Sequence, residues 1–263
     1  MSMVQLSQVG GIAYYEFRML WRERGLLVIT LAVVAMVLLA SLIASTEIVG
    51  QSTSSLEILL QGQLNIAQLV VFMTWSPVGA TLALIAPVFM ADIIPKDQQI
   101  GVRELLDTLP ISRGIYLVGK LLGAWLALFS SLAIVVIVVP IFWFLRVGAF
   151  DLRPYLEMWL FGGVSLVVIN TGISIFLAAG QPSRRRAIIL IVLIVVAFLF
   201  VGNLNLEKDT LGPVRGPIIL YFLDLDVEVS AQLFWQTIAV GLAELVVIGA
   251  AVWGWMRWQE ARR

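Results

Sequence analysis

Residues 26–45 read LLVITLAVVAMVLLASLIAS, twenty consecutive positions without one charge. At about 1.5 Å per residue, such a run makes a helix of about 30 Å, the thickness of a bilayer's hydrocarbon core. Five further stretches have the same character: 66–91, 117–144, 158–180, 187–203 and 233–255. Pro77, Pro87 and Pro140 fall inside them. Spanning helices tolerate proline because neighbouring helices satisfy the freed backbone groups. Composition agrees: 60% of the 263 residues are hydrophobic and 13% charged, against about 45–50% and about 25% in soluble domains. The expected fold is an all-α membrane protein with six spans, forming a single transmembrane domain over residues 1–263.

Orientation is read from Lys and Arg. Arg18, Arg22, Arg24, Lys96, Arg103, Arg113, Lys120, Arg184, Arg185, Arg186, Arg257, Arg262 and Arg263 fall on one side of the six spans. Arg146, Arg153, Lys208 and Arg215 fall on the other. The basic side is the inner one, so both termini are expected in the cytoplasm. Trp143, Trp159, Trp235, Trp253, Trp255 and Trp258 lie near span ends, where an interfacial aromatic belt belongs.

Bulk charge is silent about partners, since 17 basic residues balance 17 acidic ones. The chain has no Cys and no His. That removes disulfides, thiolate and imidazole metal sites, haem ligation and His- or Cys-based catalytic triads. No metal, cofactor or nucleic-acid partner is expected for this chain, and membrane lipid is.

Ahead of the first span, residues 1–25 contain Glu16, Arg18, Arg22, Glu23 and Arg24 and lack the form of a cleavable signal. Leu6, Val9, Ala13, Phe17 and Leu20 recur at three- and four-residue spacing, with Gln5, Gln8, Glu16 and Arg18 elsewhere. This predicts an amphipathic helix along the membrane surface. Residues 46–65 read as a solvated outer loop. Residues 204–232 form a second outer loop, whose apolar run Ile218–Leu223 is too short to cross and reads as re-entrant or interfacial.

The informative loop is 92–113. Val102, Leu105, Leu106 and Leu109 form one apolar helical face, Arg103, Glu104 and Asp107 a charged one. Pro110 stops that helix, and Ser112 is placed to cap the third span. Periodicity alone leaves open whether this helix meets a partner or rests on lipid.

Here the sequence resembles a known family. Asp97-x-x-x-Gly101-x-x-Glu104-Leu105-Leu106-x-x-Leu109-Pro110-x-Ser112-Arg113, followed by Gly119-Lys120, is similar to the signature of type-2 ATP-binding-cassette (ABC) exporter permeases. Gln99 and Val102 depart from it, standing where an acid and Thr are frequent. The resemblance implies a permease subunit with no catalytic site of its own. It would pair with a second copy or a homologous permease, and a separate ATPase subunit would bind ATP and Mg. The loop helix would couple the two, with Asp97, Gly101, Arg103, Glu104, Leu105, Leu106, Leu109, Pro110, Ser112 and Arg113 as the coupling residues. A prokaryotic plasma membrane is the implied location.

Two further features are weighed. Gly114-x-x-x-x-Gly119-Lys120 has the glycine spacing of a phosphate-binding loop, but Leu121 supplies no hydroxyl for Mg²⁺ and no strand precedes it. Glu244 lies deep in the sixth span, where an ionisable group costs at least about 2.5 kcal/mol. It is either a helix contact, to Asn170 or Thr171 of the fourth span, or the coupling site of an ion-driven secondary transporter. The second reading is the chief alternative to the exporter. Arg184–Arg186 is expected to anchor on anionic lipid.

Overall fold

A computed structural model of the chain describes residues 3–49, 66–99, 101, 111–202, 215, 217–218, 221 and 230–261. Among these residues the fold is helical throughout. Helix α1 (Met3–Arg22) leads through one residue into α2 (Arg24–Val49). The second span is α3 (Ile66–Ala80), a π turn (Thr81–Ile85), α4 (Ala86–Met90) and α5 (Ile93–Gln99). The third is α6 (Arg113–Val147). The fourth is α7 (Arg153–Glu157), α8 (Val164–Leu166) and α9 (Gly172–Ala179), joined by π turns at Met158–Gly163 and Val167–Thr171. Helices α10 (Arg184–Gly202) and α11 (Ala231–Ala261) complete the described fold.

Five described helical runs are long and apolar enough to cross a bilayer, starting at Arg24, Leu69, Arg113, Arg153 and Ala231. The expected fifth span is present as the 19-residue α10, which opens on Arg184–Arg186 and is not among those five.

Because lipid offers no competing water, polar side chains inside the bundle bond across helices. Thr30 donates to the Leu26 carbonyl at 2.8 Å, so in its 2.6 Å contact with Ser131 it is the acceptor. Trp143 Nε1 donates to Ser41 Oγ at 3.1 Å. These two contacts stitch α2 to α6. In the second span the π turn follows Pro77, whose missing N–H already breaks the helical ladder. Thr81 Oγ1 donates to the Pro77 carbonyl at 2.8 Å and satisfies it. Trp75 of this span meets Trp159 of the fourth with ring centroids 5.3 Å apart, and both belong to the main core.

Three expectations are corrected. First, α1 does not merely rest on a surface: it lies along the start of α6. Its buried stripe is Val9, Ala13, Glu16 and Leu20, at spacings of four, three and four, so Glu16 faces inward while Leu6 is 58% exposed. Second, the second span does not end at residue 91. After the turn Ala91–Asp92 it resumes as α5, where Pro95 sits in the first turn and its missing N–H leaves no helical bond unmade. Third, Arg215 is not in outer solvent. It is 1% exposed and reaches Glu244, thirteen residues into α11 and so about 20 Å along it. Nearby Ile218 is fully buried in the main core, and Tyr221 stacks on Phe234 at 4.7 Å. Most of the 204–232 loop, and residues 50–65 of the first outer loop, lie outside the described residues.

Helix α1 gets this close because α6 carries Gly119 and Gly123 one turn apart. A Cβ on Gly119 would stand 2.7 Å from Ile12 Cβ, and one on Gly123 would stand 2.6 Å from Glu16 Cβ and 2.7 Å from the Ala13 carbonyl oxygen. Backbone cannot move aside as a side-chain tip can. Gly123→Val should therefore displace α1 and cost about 1–3 kcal/mol through overpacking. Gly254→Ala, where a Cβ meets nothing within 4 Å, is the silent control. Thermal unfolding midpoints in nanodiscs, with protease sensitivity of the first 22 residues, measure the difference.

Candidate functional site: a buried charge cluster beside the motif segment

The turn and helix that lead into the motif segment carry Asp92, Lys96 and Asp97. Each binds a different element. Asp92 Oδ1 lies 2.7 Å from Arg184 Nε at the start of α10. Lys96 pairs with Glu23 in the link between α1 and α2, at about one-third exposure. Asp97 Oδ2 lies 2.6 Å from Lys120 Nζ of α6 and accepts the Tyr116 hydroxyl at 2.5 Å. Lys120 also donates to Glu16 of α1. The last two turns of the second span are thus tied to α1, α6 and α10 together.

The inner contact is the driest. Side-chain exposure is 5% for Lys120, 0% for Glu16 and 8% for Asp97. One ammonium serves two carboxylates, with the Tyr116 ring centroid 5.7 Å away. Glu16 Oε1 is buried with no hydrogen-bond partner among the described residues. Burial raises the Glu16 pKa above the ordinary 4.5; Lys120 opposes this, while Asp97 and Glu23 add to it. A carboxyl with a raised folded-state pKa adds stability below its unfolded value and loses it as pH climbs through the folded value.

Of the residues expected to couple, the structure gathers Asp97 into this cluster. Gly101 has φ +77° and nothing near a Cβ position, so a left-handed backbone, not close approach, requires glycine there. Ser112 caps α6, its Oγ accepting from Ile115 N at 3.3 Å, and Arg113 is the first residue of that helix. Arg103, Glu104, Leu105, Leu106, Leu109 and Pro110 lie outside the described residues.

Within the membrane, Glu244 pairs with Arg215 at 2.6 Å, not with Asn170 or Thr171 as expected. Thr171 instead donates to the Val167 carbonyl and accepts from Trp125 Nε1 at 3.2 Å. The Arg215 guanidinium fits because residue 241, one turn before Glu244, is glycine; a Cβ there would come within 2.9 Å of Arg215 Cζ. Asn170 and Glu244 line one cavity. Arg184, expected as a lipid anchor, is held by Asp92.

The sequence reading missed Glu16, Glu23, Asp92 and Lys120 as a set. The available signal was Gly119-Lys120-x-x-Gly123, a small-xxx-small pattern that marks close helix packing. In the linear sequence the same Gly119-Lys120 mimics a phosphate-binding loop.

Lys120→Met should be severe, since removing one partner of a buried ion pair strands the other at a cost of about 3–5 kcal/mol. The same change removes the influence that lowers the Glu16 pKa, so Glu16 takes up a proton more readily. The defect should therefore be largest at neutral pH and shrink as pH falls toward 5. Glu16→Gln combined with Lys120→Met should recover part of the loss at pH 7. Unfolding midpoints of wild type and both variants from pH 5 to 8 check this; a pH-independent defect would contradict it.

A family profile described as ABC-2 family transporter protein matches residues 11–214, which include the whole cluster and the motif segment. No curated protein matches the chain. The match covers most of the sequence and runs through the apolar helices from α2 to α10. The chain belongs to the ABC-2 transporter family and is a multi-pass membrane permease subunit of an ABC transporter.

Proposed function

We propose that this permease serves an ATP-driven exporter in a prokaryotic plasma membrane, with both termini and the basic rim in the cytoplasm. Thirteen of the seventeen basic residues lie on that rim's side of the spans, which supports the orientation. The subunit pairs with a second permease, identical or homologous, and its 101–113 segment docks on a separate ATPase subunit. ATP and Mg belong to that partner, and this chain performs no catalysis.

The observation that carries the reading is the charge cluster. A partner pressing on residues 102–110 moves useful distances only if the flanking helix is rigidly attached to the bundle. Asp92, Lys96 and Asp97 supply that attachment to α10, to the α1–α2 link and to α6. The ion-driven alternative needs Glu244 as an exchangeable proton site. Its pairing with Arg215 gives the carboxylate a structural role without one.

Reversing charge at Arg103 and Glu104 tests the docking. The variant carrying Arg103→Glu and Glu104→Arg should reach the membrane at wild-type level but co-purify at least tenfold less ATPase subunit and lose export. Normal co-purification with normal export would show that this segment does not form the coupling contact.

A further inference from the structure

A furrow runs between α2, the second span and α6. On α2 it is lined by Leu26, Ile29, Thr30 and Val33, which recur at helical spacing and form one face. From Leu26 to Val33 that face is about 10 Å long. The π turn of the second span supplies Thr81, Leu82 and Ile85 to the facing wall. Val33, Leu82 and Leu132 are buried at its floor, whereas Ile85 on its rim is 48% exposed. The furrow has a volume of about 40 Å³. A single water needs about 10–15 Å³ of such space. The furrow is therefore a slot for a slender group.

The hydroxyls along the slot are already spent. Thr30 donates to the Leu26 carbonyl and accepts from Ser131, while Thr81 donates to the Pro77 carbonyl. None of the three keeps a proton for a ligand, so the slot selects hydrocarbon. The end nearest the start of α2 differs. There Phe89, which lines the slot, lies against Gly25, where a Cβ would come within 3.0 Å of the ring. Gly25 adjoins the α1–α2 link, which carries Arg22 and Arg24, both exposed, on either side of Glu23. The Glu23 charge is taken up by Lys96, so the two guanidiniums are excess positive charge at this end. Arg24 opens the first membrane-crossing run, which puts these guanidiniums at headgroup level. Basic residues at that level attract anionic lipid, and an Arg stem can lie on apolar surface while its head reaches a phosphate. We propose that the furrow binds one acyl chain of an anionic phospholipid, whose phosphate is held by Arg22 and Arg24.

This site does not rest on the coupling reading, because occupancy is measured without nucleotide. The complete transporter is reconstituted in phosphatidylcholine vesicles containing a trace of phosphatidylglycerol with a diazirine in mid-chain. Phosphatidylcholine with the same diazirine chain is the zwitterionic control, and adducts are mapped by mass spectrometry after photolysis. The anionic probe should label Ile29, Val33 and Leu132 at least fivefold more than the zwitterionic one. Excess unlabelled phosphatidylglycerol should suppress that labelling at least fivefold. Ile85→Trp, from the rim, fills the slot and should abolish the saturable labelling; Ile29→Trp, from α2, is the second filler should the first not reach the membrane. Arg22→Gln combined with Arg24→Gln should bring the two probes to equal labelling. Ile137→Trp, at a position 60% exposed on α6, should change nothing. Equal labelling in the wild type, or a preference that survives loss of both arginines, would overturn the headgroup assignment. Labelling that does not saturate and spreads over Val28 and Leu31, each 59% exposed on α2, would overturn the site itself, as would saturable labelling that survives both fillers.

Discussion

One buried ammonium holds the basic rim together. Lys120 lies where α1, α5 and α6 meet, and bonds carboxylates from the first and second of these. Ion pairs this dry are weak sources of net stability, because desolvation offsets most of the attraction. Their effect is on geometry. Moving either carboxylate away leaves a buried charge uncompensated, so the three helices keep one arrangement. The glycines at 119 and 123 precede the bond in the causal order: without their close contact with α1, Glu16 would not reach Lys120.

The rim and the membrane interior solve the same problem in different ways. Neutral hydrogen bonds join the α2 and α6 spans along their length, each tolerant of small adjustments. Such contacts are worth about 1 kcal/mol apiece. The charged contacts concentrate around residues 92–97, immediately before the segment that the family resemblance assigns to partner contact. A stiff, multiply tied element there and a more adjustable bundle beyond it suit a subunit moved from one end. Arg215 and Glu244 repeat the charged solution inside the bundle.

Much of this architecture is legible in the sequence, because lipid imposes a strong one-dimensional signal. The first span, expected at 26–45, lies within Arg24–Val49, and the last, expected at 233–255, lies within Ala231–Ala261. The errors share a cause. A charge in a linear reading marks the end of a span or the polar face of a helix. Asp92 therefore ended the second span too soon, and Glu16 was assigned to the outer face of α1. Arg215 counts as an outer-loop charge for the same reason. In each case the compensating charge is far away in sequence: Lys120 for Glu16, Arg184 for Asp92, Glu244 for Arg215. Only the assembled bundle brings these partners together. The exception is Ser112, whose capping role is local and was readable from its place before an apolar run.

The central claim is that Lys120 makes α1 and α5 one body, and distance measurement between spin labels tests it most directly. The chain contains no Cys, so labels at Tyr15→Cys, on the 68%-exposed side of α1, and at Gln99→Cys, exposed at the end of α5, require no other substitution. The account predicts one narrow distance distribution in nanodiscs, and its broadening when Lys120→Met is added. A distribution already broad with Lys120 in place, or one that Lys120→Met leaves narrow and unmoved, would contradict it.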